Sequence, residues 1–225
     1  MLNIVLLGPP GAGKGTQAAH LQARYGLCQL STGEMLRAAV NAGSDVGRRV
    51  EQAMRTGALV PDDVVMEIIS ERFDAPECGA GAIFDGIPRT IAQAAALDRS
   101  LSDKGTRLRH VIQIAVDDAA LTERIIGRYA CAACGAGYHE TLQMPAKPGI
   151  CDRCGGAEFK RRPDDTVEIV EARLAAYHAE TEPLLPYYRE QGILRTVNGM
   201  TGVTGVSRQI DAILKGDAAA KATAA

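Results

Sequence analysis

Residues 8–16, GPPGAGKGT, are the first stretch whose residue types and spacing imply a chemistry. They fit G-x-x-x-x-G-K, with the hydroxyl residue of the G-x-x-x-x-G-K-[ST] pattern one position on at Thr16, directly after the apolar run 2–7 and directly before the helix-compatible run 16–25, the strand, loop and helix context a phosphate-binding loop needs. Glycines at 8, 11, 13 and 15 free the backbone for positive φ angles, so that successive N–H groups turn toward phosphate oxygens while the next helix adds the positive end of its dipole. Lys14 supplies a mobile cation for the outer phosphates, and Thr16 a hydroxyl for Mg2+. These residues imply a bound polyphosphate.

Two further sets of side chains point the same way. Asp85 and Arg89, in DGIPRT at 85–90, follow an apolar stretch and are expected beside the phosphate loop, since ligand crevices of parallel sheets lie at the carboxyl ends of strands. Asp85 would hold the Mg2+ shell through water. Arg37, Arg124, Arg128, Arg162 and Arg173 complete a set of guanidiniums suited to the charge on a transferring phosphoryl group. Arg124 and Arg128, four residues apart, are expected on one face of a helix over 119–128. If the acceptor is itself a phosphate it is already ionised, and no general base is needed.

Four of the six cysteines are spaced as Cys131-x-x-Cys134, sixteen intervening residues, and Cys151-x-x-Cys154, with Gly135 and Gly155-Gly156 after the pairs. This is the pattern of a structural, tetrahedral Zn2+ site built from two knuckles. Protein fills all four positions, so the ion is expected to shape a segment too small to build its own core. An iron–sulfur centre or redox disulfides would use the same residues. Cys28 and Cys78 lie outside the cluster and read as small core residues. His139 could only be a substitute ligand.

The elements that must position these groups follow from periodicity. Continuous apolar runs at 2–7, 82–85, 110–116 and 194–197 read as buried parallel strands. Helices are expected at 16–25, from a Ser31/Glu34 capping box to residue 41, at 45–55, from Pro61 to residue 73, at 119–128 and at 203–214. The alanine-rich tail from Gly216 is expected to fray. The fold class is therefore α/β: a three-layer core with a mainly parallel sheet of about five strands. Residues 1–30, 61–128 and 163–225 would form the core, 31–60 a helical insertion, and 129–162 the cysteine segment. With net charge −2, no tryptophan and three phenylalanines, the chain has no basic, aromatic face for nucleic acid. No run approaches the ~20 apolar residues of a membrane span, and the N-terminal apolar run is too short for a signal peptide, so a cytoplasmic location is expected.

Over nearly its whole length the chain resembles the adenylate kinase family. The shared motifs are GPPGAGKGTQ at 8–17, STGEMLR at 31–37, DGIPRT with Gln93 beyond it, RIIGR at 124–128, the four-cysteine lid, and RRPDD at 161–165 followed by Arg173. The resemblance implies reversible phosphoryl transfer from MgATP to AMP, giving two ADP, by a monomer with a core, an AMP-binding domain and a hinged lid. It places Gly11, Ala12, Gly13, Lys14, Gly15, Thr16, Arg124, Arg128, Tyr138 and Met200 at ATP. At AMP it places Thr32, Arg37, Ala58, Leu59, Val60, Gly86, Ile87, Pro88, Arg89, Gln93, Arg162 and Arg173. Lys14, Asp85, Arg89, Arg124, Arg128, Arg162 and Arg173 would carry the chemistry. Ile87 replaces the family's usual phenylalanine and would remove a ring from the AMP side, and Met144-Pro145-Ala146 replaces Asn-Pro-Pro. A kinase for UMP, CMP or GMP, and a non-catalytic nucleotide-binding zinc protein, are the competing readings; Gln93 favours adenine, because an amide both donates and accepts.

Overall fold

The computed structural model describes the backbone of residues 1–222 and side chains as far as Gly216. The apolar run near the N-terminus becomes β1 (Asn3–Leu7), buried at every position, as a strand covered on both faces must be. It is the middle of a parallel five-stranded sheet, flanked by β3 (Ala82–Asp85) and β4 (Leu108–Ala115), with β2 (Cys28–Ser31) and β8 (Leu194–Asn198) at the edges. The period of two along β1 divides the core. Val5 and Leu7 face Leu30, Phe84, Val111 and the helices α4 (Asp62–Phe73), α5 (Ile91–Asp103) and α8 (Leu184–Glu190). Ile4 and Leu6 face Ile83, Ile112, Val197, α1 (Lys14–Tyr25) and α9 (Gly202–Ala222).

Between β2 and β3, helices α2 (Thr32–Asn41) and α3 (Asp45–Thr56) join α4 around a small core of Leu36, Val50 and Val64. After β4, α6 (Asp118–Ile126) leads into an antiparallel three-stranded sheet, β5 (Arg128–Cys131), β6 (Gly137–His139) and β7 (Phe159–Lys160). The chain returns through α7 (Val167–Ala176) and a π-helical turn, Tyr177–Thr181, to α8. Among the described residues no helix is long and apolar enough to cross a membrane.

Several expectations change. The fifth strand is β2, whose short mixed sequence gives little periodic signal. The Ser31/Glu34 capping box does not form: Ser31 ends β2 in register with Asp85, its side chain caps nothing, and Glu34 lies 3.9 Å from Arg162. Helix α6 stops before Gly127, so Arg128 opens β5 and does not share a helical face with Arg124. Cys28 and Cys78 are buried in the core as expected but joined by a disulfide, because the turn before β3 folds back on the start of β2: Cys28 N donates to Gly81 O at 3.0 Å. α7 and α8, carrying or following Arg173, were not foreseen. The last helix runs past residue 214 to Ala222, in keeping with the high helix propensity of alanine and lysine. The rest of the tail expected to fray, residues 223–225, lies outside the described residues.

Candidate nucleotide site and metal centre

The loop between β1 and α1 closes over its own lysine. Gly8, Gly11 and Gly13 take φ of 147°, 82° and 93°, as the motif requires, whereas Gly15 is already in α1. A Cβ there would make only an ordinary contact, 3.6 Å from Asp85 Oδ2, so Gly15 places the start of α1 against that carboxylate. Lys14 Nζ donates to Gly8 O at 2.6 Å and Pro9 O at 2.9 Å. Burial, opposed by Asp85 and reinforced by Arg89 and Arg128, pulls its ammonium down to about 8. Asp85, buried at the end of β3 and accepting from Gln29 Nε2 at 3.4 Å, is raised by burial against the opposing charge of Lys14. The sequence placed Asp85 and Arg89 beside the loop, and the structure brings them there.

The guanidiniums crowd one another. Burial, then Arg128 and Arg37, bring Arg162 down to about 10, while burial and Arg173 lower Arg89. Two aspartates separate these like charges. Asp165 takes Arg128 in a two-point pair, and Asp164 binds Arg173, with Arg37 3.8 Å away. Burial raises Asp164, but Arg173 and Arg37 outweigh it and hold the carboxyl below its usual range. In the sequence these aspartates stand out only as part of the RRPDD motif. Arg124 is held apart from the cluster: it donates to Gly199 O at 3.2 Å and touches Met200 Sδ at 3.5 Å, so two of the residues expected at ATP meet at the end of β8.

A second pocket opens between α2, α4 and the chain after β3. Thr32, Leu59, Val60, Gly86, Arg89 and Gln93, all expected at AMP, line it. Leu36 and Val65 line it too and were missed; Leu36, one turn after Thr32, was the available signal. Arg89 is aimed by donating from Nε to Gly86 O at 2.9 Å, and its carbonyl accepts from Thr181 Oγ1. Pro88 is buried outside the pocket lining, and Ala58 is exposed. Ile87 is fully buried in the main core, so the ring absent at this position is absent from the core and not from the pocket. Arg37 and Arg173 belong to the cluster around Asp164, and Arg162 stands 3.9 Å from Glu34.

The four lid cysteines converge as their spacing requires. Cys131 N donates to Ala136 O and Cys151 N to Gly156 O, both at 2.9 Å, two matching knuckles in which Gly135 and Gly155 take φ of 71° and 73°. All four Sγ atoms lie within 4.8 Å of one another, and Cys131–Cys154 and Cys134–Cys151 stand 3.6 Å apart. Zn–S bonds of about 2.3 Å in a tetrahedron need sulfur separations near ~3.8 Å, so the set fits Zn2+. Tyr138 is buried in the lid, stacked on Tyr129, and its hydroxyl donates to Cys151 Sγ at 3.4 Å, which holds that thiol down to about 6. The hydroxyl also accepts from Asp152 N at 2.8 Å. It is therefore committed to the lid, and a nucleotide contact at residue 138 would fall to the backbone. His139 is no ligand: Nε2 meets Glu123 O at 3.2 Å, and Nδ1 accepts from Thr141 N and Leu142 N at 3.1 Å, tying the lid to the last turn of α6.

Set beside known proteins, residues 6–193 match the family described as adenylate kinase. The adenylate kinase of Paramagnetospirillum magneticum is 56% identical over 213 residues, spanning 95% of this chain and 98% of that protein. That of Novosphingobium aromaticivorans is 54% identical over 213 residues, spanning 95% and 99%, and that of Zymomonas mobilis 51% over 214 residues, spanning 95% and 96%.

Proposed function

This chain belongs to the adenylate kinase family, and from that membership we propose which of its groups perform each part of the reaction. It is a phosphotransferase, and its reaction is AMP-dependent phosphoryl transfer. In our reading MgATP is the donor and two ADP the products. Residues 1–30, 61–128 and 163–225 act as the core, 31–60 as the acceptor-binding insertion and 129–162 as the lid, in a monomer of the cytoplasm.

The observation that supports these roles best is the crowd of cations between the phosphate loop and the acceptor pocket, where burial, reinforced by neighbouring guanidiniums, lowers Lys14, Arg89 and Arg162. Such a crowd is relieved by a polyanion. The N–H groups of residues 11–16 cradle the donor's phosphates, and Lys14 leaves its loop carbonyls for the outer ones. Arg124, beside Met200, meets the donor from the far side. The acceptor lies among Thr32, Leu59, Val60, Gly86 and Gln93, with Arg37 and Arg89 on its phosphate. Arg128, Arg162 and Arg173 exchange their carboxylate partners for the transferring group, whose charge their planar forks match. The acceptor phosphate is ionised at neutral pH, so the protein positions, screens charge and excludes water.

Asp85 and Thr16 are suited to Mg2+: hard oxygen donors at the loop, one a buried carboxylate. Mg2+ bound with ATP would neutralise charge developing on the phosphates. Zn2+ in the lid is structural, since its four ligands leave no open position. ADP formation from ATP and AMP with Mg2+, compared with CMP, UMP and GMP as acceptors and combined with metal analysis, tests the reading. Preference for another nucleotide, or no ADP, would overturn it.

A further inference from the structure

Gln93 is only 2% exposed, and the protein already engages both ends of its amide. Oε1 accepts from Arg89 N at 2.7 Å, and Nε2 donates to Asp62 Oδ1 at 2.6 Å. A backbone N–H only donates and a carboxylate only accepts, so both partners select the same orientation of the amide. The other Asp62 oxygen accepts from Thr90 Oγ1 at 3.1 Å, and Thr90 caps α5 by accepting from Gln93 N. The helix start that carries Gln93 therefore also holds the carboxylate that orients it. Asp62 itself is the first residue of α4 and belongs to none of the motifs of the site.

Each end of the amide keeps one unused valence, a second N–H and a second lone pair, and Gln93 lines the acceptor pocket. A donor and an acceptor in fixed order distinguish purines. Adenine presents an N1 acceptor beside an N6 donor; guanine presents an N1 donor beside an O6 acceptor, the reverse order. The geometry points to Asp62 as a specificity-determining positioning residue, whose carboxylate holds the Gln93 amide in the sense that reads adenine against guanine. This rests on the reading that Gln93 faces the acceptor base.

Asp62→Asn tests it, because a carboxamide can accept from Gln93 or donate to it and so removes this bias, leaving the Arg89 N–H alone to hold the sense. The AMP-over-GMP ratio of kcat/KM is expected to fall about tenfold, the worth of a charge-assisted hydrogen bond. The change should lie in KM for AMP, with KM for ATP and kcat at saturating AMP retained. Asp63→Asn is the control: Asp63 is also in the first turn of α4 but is exposed and pairs with Arg49, so it removes the same helix-terminal charge without touching Gln93. Both substrates meet the same folded enzyme, so lost folding leaves the ratio untouched. An Asp62→Asn ratio equal to that of Asp63→Asn overturns the proposal. Gln93→Ala then locates the failure: a fall there means Asp62 does not orient the amide, and no fall means Gln93 does not read the base.

Discussion

Lys14 donates to the carbonyls of its own loop, so a donor nucleotide has to draw the ammonium away from Gly8 O and Pro9 O. With its pKa pulled down to about 8, the lysine loses its proton in the free protein as pH rises through that value, well below the range of an ordinary lysine. Phosphate oxygens favour the charged form and raise the pKa again. ATP affinity should therefore be greatest below pH 8 and weaken above it, with a proton taken up on binding near pH 8.5. Calorimetry in buffers of different ionisation enthalpy reads that uptake; zero uptake at this pH would contradict the depressed value. Replacing the side chain by Lys14→Ala should lower kcat by two orders of magnitude or more, since a preorganised charge donor is worth ~3 kcal/mol in such a site. Circular dichroism should show the fold retained, and near-normal turnover would remove Lys14 from the mechanism.

The joint between α6 and the lid depends on one glycine. A Cβ at Gly127 would lie 2.5 Å from His139 Nε2, the atom that meets Glu123 O. Gly127→Ala should push His139 out of its seat and destabilise the protein by ~1–3 kcal/mol in denaturant titration, the usual range for overpacking. An unchanged midpoint would mean the lid does not hang on this contact. The lid's own core is four sulfurs and a few aromatic rings, with Tyr129, Tyr138 and Phe159 mutually in contact. Cys151→Ser should release bound metal, measured by elemental analysis, and lower the melting temperature by several degrees, with a smaller effect on the chemical step. Full metal content at an unaltered melting temperature would exclude Cys151 as a ligand.

Across the molecule, the arginines are held by Asp164 and Asp165, on the segment where the lid returns to α7. Glu34 of α2 reaches Arg162 on the same segment. A bound bisubstrate would compete with these carboxylates for the same guanidiniums, which couples occupancy to lid position. Fluorescence transfer between a dye on the lid and one on the core should therefore rise when a dinucleoside polyphosphate inhibitor is added. A distance unaffected by the inhibitor would separate lid position from binding.

Much of this was legible in the residues themselves. A lysine in a glycine loop between an apolar run and a helix, four cysteines as two spaced pairs, and buried apolar strands carry their meaning locally, because they depend on backbone φ, ligand spacing and strand burial. The structure retained the loop, the metal knuckles and the five-stranded parallel sheet. Elsewhere local patterns lost to contacts between distant segments. Gly127 ended a helix that the arginine spacing extended, Ser31 was drawn into a strand instead of capping a helix, and Cys28 met a cysteine fifty positions away. Which carboxylate pairs with which arginine, and that Asp62 fixes the sense of Gln93, follow only from where α4, α5 and α7 pack. A side chain's type states what it can donate or accept; only the tertiary structure decides which partner stands within three ångströms.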